Sequence, residues 1–189
     1  MENKNSKGFA ISRFSYFNGK RRIGLDANIL IKLYDQPYFF DYEQARIFKQ
    51  ENLVFTHKIC VWELTKHIIK TKKLNENEAR EKAKSFVTDK KITPIYEYFS
   101  KDDVKSFENK TNLRFKNEGK SNLYCHYPDS IILLGFKKSG INKIITDDWS
   151  FRESAKFLGI DSERLPSLDN KISQELKRIF GINKKFKKR

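Results

Sequence analysis

Cysteine is scarce: Cys60 and Cys125 are the only two, too far apart for a C-x-x-C metal pair and too few for a disulfide framework, so both are expected as free thiols. Histidine is nearly as rare, and no spacing among His57, His67, His126 and the cysteines fits a zinc site. Long apolar runs are missing too. The longest, Ser130 to Phe136, falls far below the roughly 18 residues of a membrane-spanning helix. The opening MENKNSKGFAISRF has charge but no apolar core followed by a small-residue cleavage site, which argues against a secretory signal and for a cytoplasmic protein. Internal repeats are absent. Acidic residues are outnumbered, with 24 Asp and Glu against 39 Lys and Arg, a formal net charge of +15. That excess makes a polyanion the natural partner, and without a membrane span nucleic acid is favoured over an anionic bilayer. What remains is a chain of 189 residues, 38% hydrophobic with 16 Phe, long enough to bury one good core.

Patterning along the chain alternates strands with helices. IGLDANILIKLY reads as a buried strand ending at Asp26 and turning into a helix, and DYEQARIFKQEN as a second helix. Leu53 to Thr56 is a strand, after which Ile59, Trp62, Glu63, Lys66, His67 and Lys70 fall at helical spacings. NENEAREKAKSFVTDKK is helical, and KITPIY is an edge strand because Pro94 cannot donate within a central ladder. A charged helix over Lys101 to Asn117 leads to a loop, Asn117 to Tyr127, and Pro128 suits the first turn of the helix carrying DSIILLGFKKSG, which Gly140 ends. Lys143 to Thr146 is a fourth strand, and SFRE has the spacing of a capping box that starts a helix at Ser150. A last amphipathic helix, SLDNKISQELKRIF, precedes the tail. The expected organisation is a basic extension over 1–21, one domain over 22–182 and a basic tail over 183–189. Its fold is an α/β domain, a three-layer α/β/α sandwich around a mainly parallel sheet. Ligands of such sheets collect at the carboxyl ends of the strands. There the sequence puts Asp26 and the pair Asp147 and Asp148.

An aspartate directly after an apolar run is costly unless it is paired or holds a cation. Hard divalent ions prefer oxygen ligands, and they activate water and neutralise developing charge in phosphodiester cleavage. At this point a resemblance becomes specific. IGLDANILI, VWELTKHI and PDSIILLGFKKSGINKIITDDWSF, in that order, resemble the successive signatures of the PIN domain family. Asp26 with Asn28, Glu63 on a later helix, Asp129 followed by Gly140, and the T-x-D-x-x-F of Thr146, Asp148 and Phe151 match its pattern over roughly Arg22 to Gly159.

The resemblance implies a metal-dependent endoribonuclease. Asp26, Glu63, Asp129 and Asp148 would be both catalytic and ligands to Mg²⁺ or Mn²⁺, with water as the attacking group. Asn28, Thr146 and Asp147 would support them. It allows a role in RNA processing or as the toxin of a toxin–antitoxin pair, with RNA as substrate and an inhibitory antitoxin and a homodimer as protein contacts. The region from Leu74 to Asn122 is long and basic, a departure that points to no particular toxin subfamily and leaves the substrate open.

Each acid also has a structural reading: Asp26 as a helix cap, Glu63 as a solvated helix position, Asp129 as a complement to its helix dipole, and either Asp147 or Asp148 as a cap. A catalytically inert PIN-like module that binds RNA or protein is the alternative function. A phosphoacceptor or phosphatase-like protein would need paired acids at the first strand end, and LDANI lacks them. Around His126, Phe115, Tyr124 and Tyr127 are candidates for base stacking, against a packing role, and Lys116 and Lys120 for phosphate contacts. The tail, with Lys184, Lys185, Lys187, Lys188 and Arg189 around Phe186, reads either as a solubilising end or as an RNA-binding arm.

Overall fold

The computed structural model describes residues 20–37 and 41–165. The 167–180 helix, the 183–189 tail and nearly all of the 1–21 extension lie outside the described residues, although Arg21 already belongs to the first strand. The elements are β1 (Arg21–Leu25), α1 (Ala27–Asp35), α2 (Asp41–Ile47), β2 (Asn52–His57), α3 (Lys58–Lys72), α4 (Glu76–Asp89), β3 (Thr93–Ile95), α5 (Lys101–Asn117), α6 (Asp129–Lys138), β4 (Lys143–Ile145), α7 (Trp149–Phe157) and β5 (Asp161–Glu163).

The five strands form one all-parallel sheet in the order β3-β2-β1-β4-β5, with Leu25 of β1 flanked by Thr56 of β2 and Ile145 of β4. Parallel neighbours need crossover connections, and their right-handed rule puts α1 to α4 on one face and α5 to α7 on the other. The packing agrees: α3 lies against α1 and α4, and α6 against α5 and α7. This is the expected α/β/α sandwich. The chain leaves β1 toward β2 and leaves β4 toward β5. Between β1 and β4 the winding therefore reverses, which opens a crevice beyond their carboxyl ends.

Burial on both faces explains the apolar strand ends Ile23, Leu25, Ile144 and Ile145, which join Ile29, Leu30, Leu33 and Leu64 in one core. Pro94 sits in the edge strand β3, as its missing N–H requires. Two glycines set how closely α6 approaches the sheet. A Cβ on Gly24 of β1 would come within 3.0 Å of the Phe136 ring, and one on Gly135 of α6 within 3.0 Å of the His57 imidazole. Their bare backbones let α6 lie directly on β1 and β2.

Three details differ from the sequence reading. The second helix stops at Ile47, because Asn52 starts β2 and its side-chain amide donates to the Arg46 and Ile47 carbonyls at 3.1 and 2.9 Å, closing the helix end. The polar strand β5 carries too few residues to show an alternating pattern. Helix α7 starts at Trp149 rather than Ser150: its N-cap is Asp148, whose Oδ1 accepts from the Phe151 N–H at 2.8 Å.

Candidate active site

Asp26 stands where β1 ends and α1 begins, buried at 7% exposure. Its Oδ1 accepts from the Ala27 N–H at 2.7 Å, so it does cap the helix. Its Oδ2 accepts from the Asn28 amide and from the Thr146 hydroxyl, each at 2.7 Å. Thr146, just past β4, is fully buried and links Asp26, Asn28 and Asp148. Its oxygen donates to Asp26 and accepts from the Asn28 amide at 3.2 Å and from the Asp148 N–H at 3.1 Å. The Asn28 carbonyl oxygen in turn accepts from the Asp147 N–H at 3.3 Å. These bonds, made through Asn28 and Thr146, tie the two sides of the crevice together.

The other acids arrive from separate elements. Glu63 projects from α3, half-buried; Asp129 opens α6 without a side-chain cap bond; Asp148 heads α7. Electrostatics shows that they share one space. Burial, then the charges of Asp26 and Asp148, push the Asp129 carboxyl up to about 7, with Glu63 adding to the rise and His126 opposing it. Burial likewise raises Asp26, whose Thr146 and Ala27 hydrogen bonds pull the other way while Asp148 and Asp147 add to the rise. Glu63 is raised by burial and then by Asp26, against Lys66. Beneath them the fully buried Cys60 thiol is driven well above its usual range by burial, then by Asp26 and Glu63. The four carboxylates thus come from four parts of the chain, and the charges of Asp26, Glu63 and Asp148 all raise Asp129.

Asp147 turns elsewhere. Its carboxylate pairs with Lys32 of α1, and the Arg164 guanidinium lies 3.9 Å away. The cap of α7 is Asp148, not Asp147, so Asp148 spends one oxygen on the helix while its charge still reaches Asp129 and Asp26.

The residues around the loop fare unevenly. Phe115 is buried with Leu123 and Cys125 in a small satellite core, so it cannot stack bases. Lys120 is held by Glu118 and Glu153, both at 2.9 Å, which leaves its charge already matched. Lys116, Tyr124, His126 and Tyr127 are exposed. His126 Nδ1 lies 3.6 Å from Asp129 Oδ2, at the edge of the acid cluster. Lys184, Lys185, Lys187, Lys188 and Arg189 lie outside the described residues. Of the remaining histidines, His57 caps α3 by accepting from Ile59 N–H at 3.3 Å, and His67 pairs with Asp35 at 2.7 Å. One feature escaped the sequence reading: a cavity of about 520 Å³ beside Glu63, lined by Lys58, Ile59, Trp62, Tyr127 and Pro128. Of its lining residues the sequence marks Tyr127 as a stacking candidate, but not Trp62.

Chemically the cluster offers only hard oxygen donors under mutual repulsion, a set that suits Mg²⁺ or Mn²⁺ and would be relieved by either. Among the described residues no three His, Cys, Asp or Glu side chains are already arranged to cage a metal ion. The fit is therefore one of donor chemistry.

Fold and site together define a PIN-like α/β domain with an acidic crevice at its topological switch point. Solved structures share the fold. VapBC2 from Rickettsia felis, bound to a DNA fragment from their promoter, matches with a TM-score of 0.52 at 17% identity, over 76% of this chain and 98% of that one. VapBC-1 from nontypeable Haemophilus influenzae matches at 0.53 and 14% identity, over 76% and 97%. DNA-bound VapBC from Salmonella typhimurium matches at 0.50 and 14% identity, over 76% and 98%. At such identities the likeness is one of fold. No protein-family model and no curated protein sequence matches the chain.

Proposed function

We propose that this chain is an endoribonuclease that hydrolyses RNA phosphodiester bonds with Mg²⁺ or Mn²⁺ held by Asp26, Glu63, Asp129 and Asp148. The observation that carries the reading is the convergence of these carboxylates, each from a different element, onto the crevice between β1 and β4. The bound metal supplies an activated water and charge neutralisation at the scissile phosphate. The protein's own residues do the rest. Thr146 and Asn28 fix the direction of Asp26 Oδ2, and Ala27 N–H fixes Oδ1. The cap bond to Phe151 N–H sets the position of Asp148. The net charge of +15 suits a substrate held along several phosphates.

Within this reading the chain acts as the toxin of a toxin–antitoxin pair, in the cytoplasm, as a homodimer restrained by an inhibitory antitoxin. Support comes from the structures that share its fold, which are VapBC complexes. The test is incubation of the purified protein with total RNA and with DNA, in Mn²⁺ and in EDTA, with the ends of any products mapped. RNA should be cut only with the metal. Asp26→Asn should lower cutting by at least about 100-fold, the scale lost when one group stabilising transition-state charge is removed. Undiminished cutting in EDTA refutes the mechanism, and RNA binding without any cutting makes the chain the inert module instead.

A further inference from the structure

Aromatic side chains are sorted by type in this fold. No phenylalanine among the described residues is exposed. Of the seven large hydrophobic side chains exposed among the described residues, six are tyrosine or tryptophan, and only Leu113 is aliphatic. The six are also sorted by place. Trp62 lies on α3, Tyr96 and Tyr98 between β3 and α5, Tyr124 and Tyr127 between α5 and α6, and Trp149 at the first position of α7. Trp62, Tyr96, Tyr98 and Trp149 lie in segments that leave the carboxyl ends of β2, β3 and β4, the rim that carries the carboxylates, while Tyr124 and Tyr127 lie just ahead of Asp129.

Resting on the nuclease reading, we infer that the cavity beside Glu63 is a nucleobase subsite: Trp62 and Tyr127 stack an unpaired base of the RNA strand whose backbone passes the acidic crevice. The cavity volume of about 520 Å³ accommodates a base, and its lining combines those two aromatics with Ile59, Pro128 and the cation Lys58. Lysines accompany the rings: Lys66 Nζ sits 3.2 Å from the Trp62 ring centroid and Lys58 Nζ 3.8 Å from that of Tyr98. Aromatic platforms interleaved with cations are what single-stranded nucleic acid requires, because every base has a face to stack and every nucleotide a phosphate to neutralise. A protein-docking patch is the other use for exposed aromatics. Its centre is normally poor in lysine, which here lies on the rings themselves. Such a pocket selects unpaired RNA, since a base held within a duplex cannot enter it.

The test measures binding without cleavage. Fluorescence anisotropy of a labelled 12-nucleotide single strand is recorded in EDTA, beside an abasic strand of the same length and a duplex. Trp62→Ala should weaken binding of the base-bearing strand roughly 5- to 150-fold, the range for losing one stacked base. It should leave the abasic strand and the salt dependence unchanged, and Trp62→Phe should restore most of the loss. Melting temperature controls for folding. Equal affinity of Trp62→Ala and wild type for the base-bearing strand overturns the subsite, and the aromatic rim is then a protein-docking face. Failure to bind any strand overturns it as well. Base-dependent binding with no cutting in Mn²⁺ sinks the nuclease reading and leaves the subsite standing, whereas cutting with base-independent binding does the reverse.

Discussion

The Thr146 hydroxyl donates a 2.7 Å hydrogen bond to Asp26 across a sequence separation of 120 residues, joining the end of β4 to the end of β1. Both groups are buried, so neither can exchange this bond for water. Thr146 is thus a positioning residue: it holds Asp26 and receives the Asp148 N–H on the same oxygen.

Thr146→Val keeps the side-chain shape and removes that oxygen. Asp26, the Asn28 amide and the Asp148 N–H each lose a partner. The expected costs are about 1 to 3 kcal/mol of stability and roughly 10- to 100-fold in activity, the scale for groups that orient metal ligands. The Mn²⁺ concentration for half-maximal activity should rise, and Thr146→Ser should recover most of both. A melting shift with no change in the Mn²⁺ titration would reduce Thr146 to a packing residue.

Asp147 and Asp148 separate cleanly by substitution with asparagine. Asparagine caps helices about as well as aspartate, so Asp148→Asn should leave α7 intact while removing the charge that faces Asp129. Asp147→Asn breaks a partly exposed pair with Lys32, an interaction of the kind that contributes at most about 1 kcal/mol. Cleavage at saturating Mn²⁺ should therefore fall far more for Asp148→Asn. The opposite ranking would shift the acidic motif by one residue.

Asp129 links stability to metal. Its folded carboxyl is raised to about 7 from 3.8, so the folded state holds a proton that the unfolded state releases. The stability this confers is present below 3.8 and is lost as pH rises through about 7. In metal-free buffer at pH 8, Asp129→Asn should melt above the wild type, because it removes a charge repelled by its neighbours. Adding Mn²⁺ should raise the wild-type melting temperature and raise that of Asp129→Asn less. Equal metal shifts in both proteins would remove Asp129 from the ligand set.

His57 imposes an opposite pH dependence. Burial, and then Lys58, lower its imidazole from 6.5 to about 4, with the Glu97 backbone offsetting only part of this. The fully buried ring leaves its Nε2 without a hydrogen-bond partner, so the fold accepts it neutral. Above pH 6.5 both states are neutral and the full stability is present. Below that the unfolded chain takes up a proton that the folded chain refuses until about 4, which erodes on the order of 3 kcal/mol across the window. Urea midpoints between pH 7.5 and 4 should fall more steeply for the wild type than for His57→Gln. Parallel slopes would show that His57 is not the acid-sensitive group.

The elements that the sequence made legible are those whose signal is local. Lys101–Asn117 forms a helix over the predicted span because Ser100 caps its start and the chain turns at Glu118 and Gly119. Pro94 marks an edge strand by chemistry alone. Asp26, Asn28 and Thr146 are singled out by the resemblance to the PIN domain family, and hydrogen bonds join the three. Long-range partners left no such trace. The match of Lys120 with Glu153 spans 33 residues, and the burial of Phe115 depends on Leu123 and Cys125 folding back over it. Ser150 spaced well for a capping box, yet the aspartate ahead of it captured the helix end.

The bare backbones of Gly24 and Gly135 give the acidic cluster its dimensions. Gly135 lies under two helical turns from Asp129 on the same rod, so any lift at that contact tilts the end that bears the carboxyl. Two hydrogen atoms thus stand where side chains would press between α6 and the sheet. A catalogue of the site drawn only from its oxygens would miss them. Even a methyl group at either glycine, with every acid retained, would press on the Phe136 ring or the His57 imidazole, which must then give by a few tenths of an ångström or let α6 move.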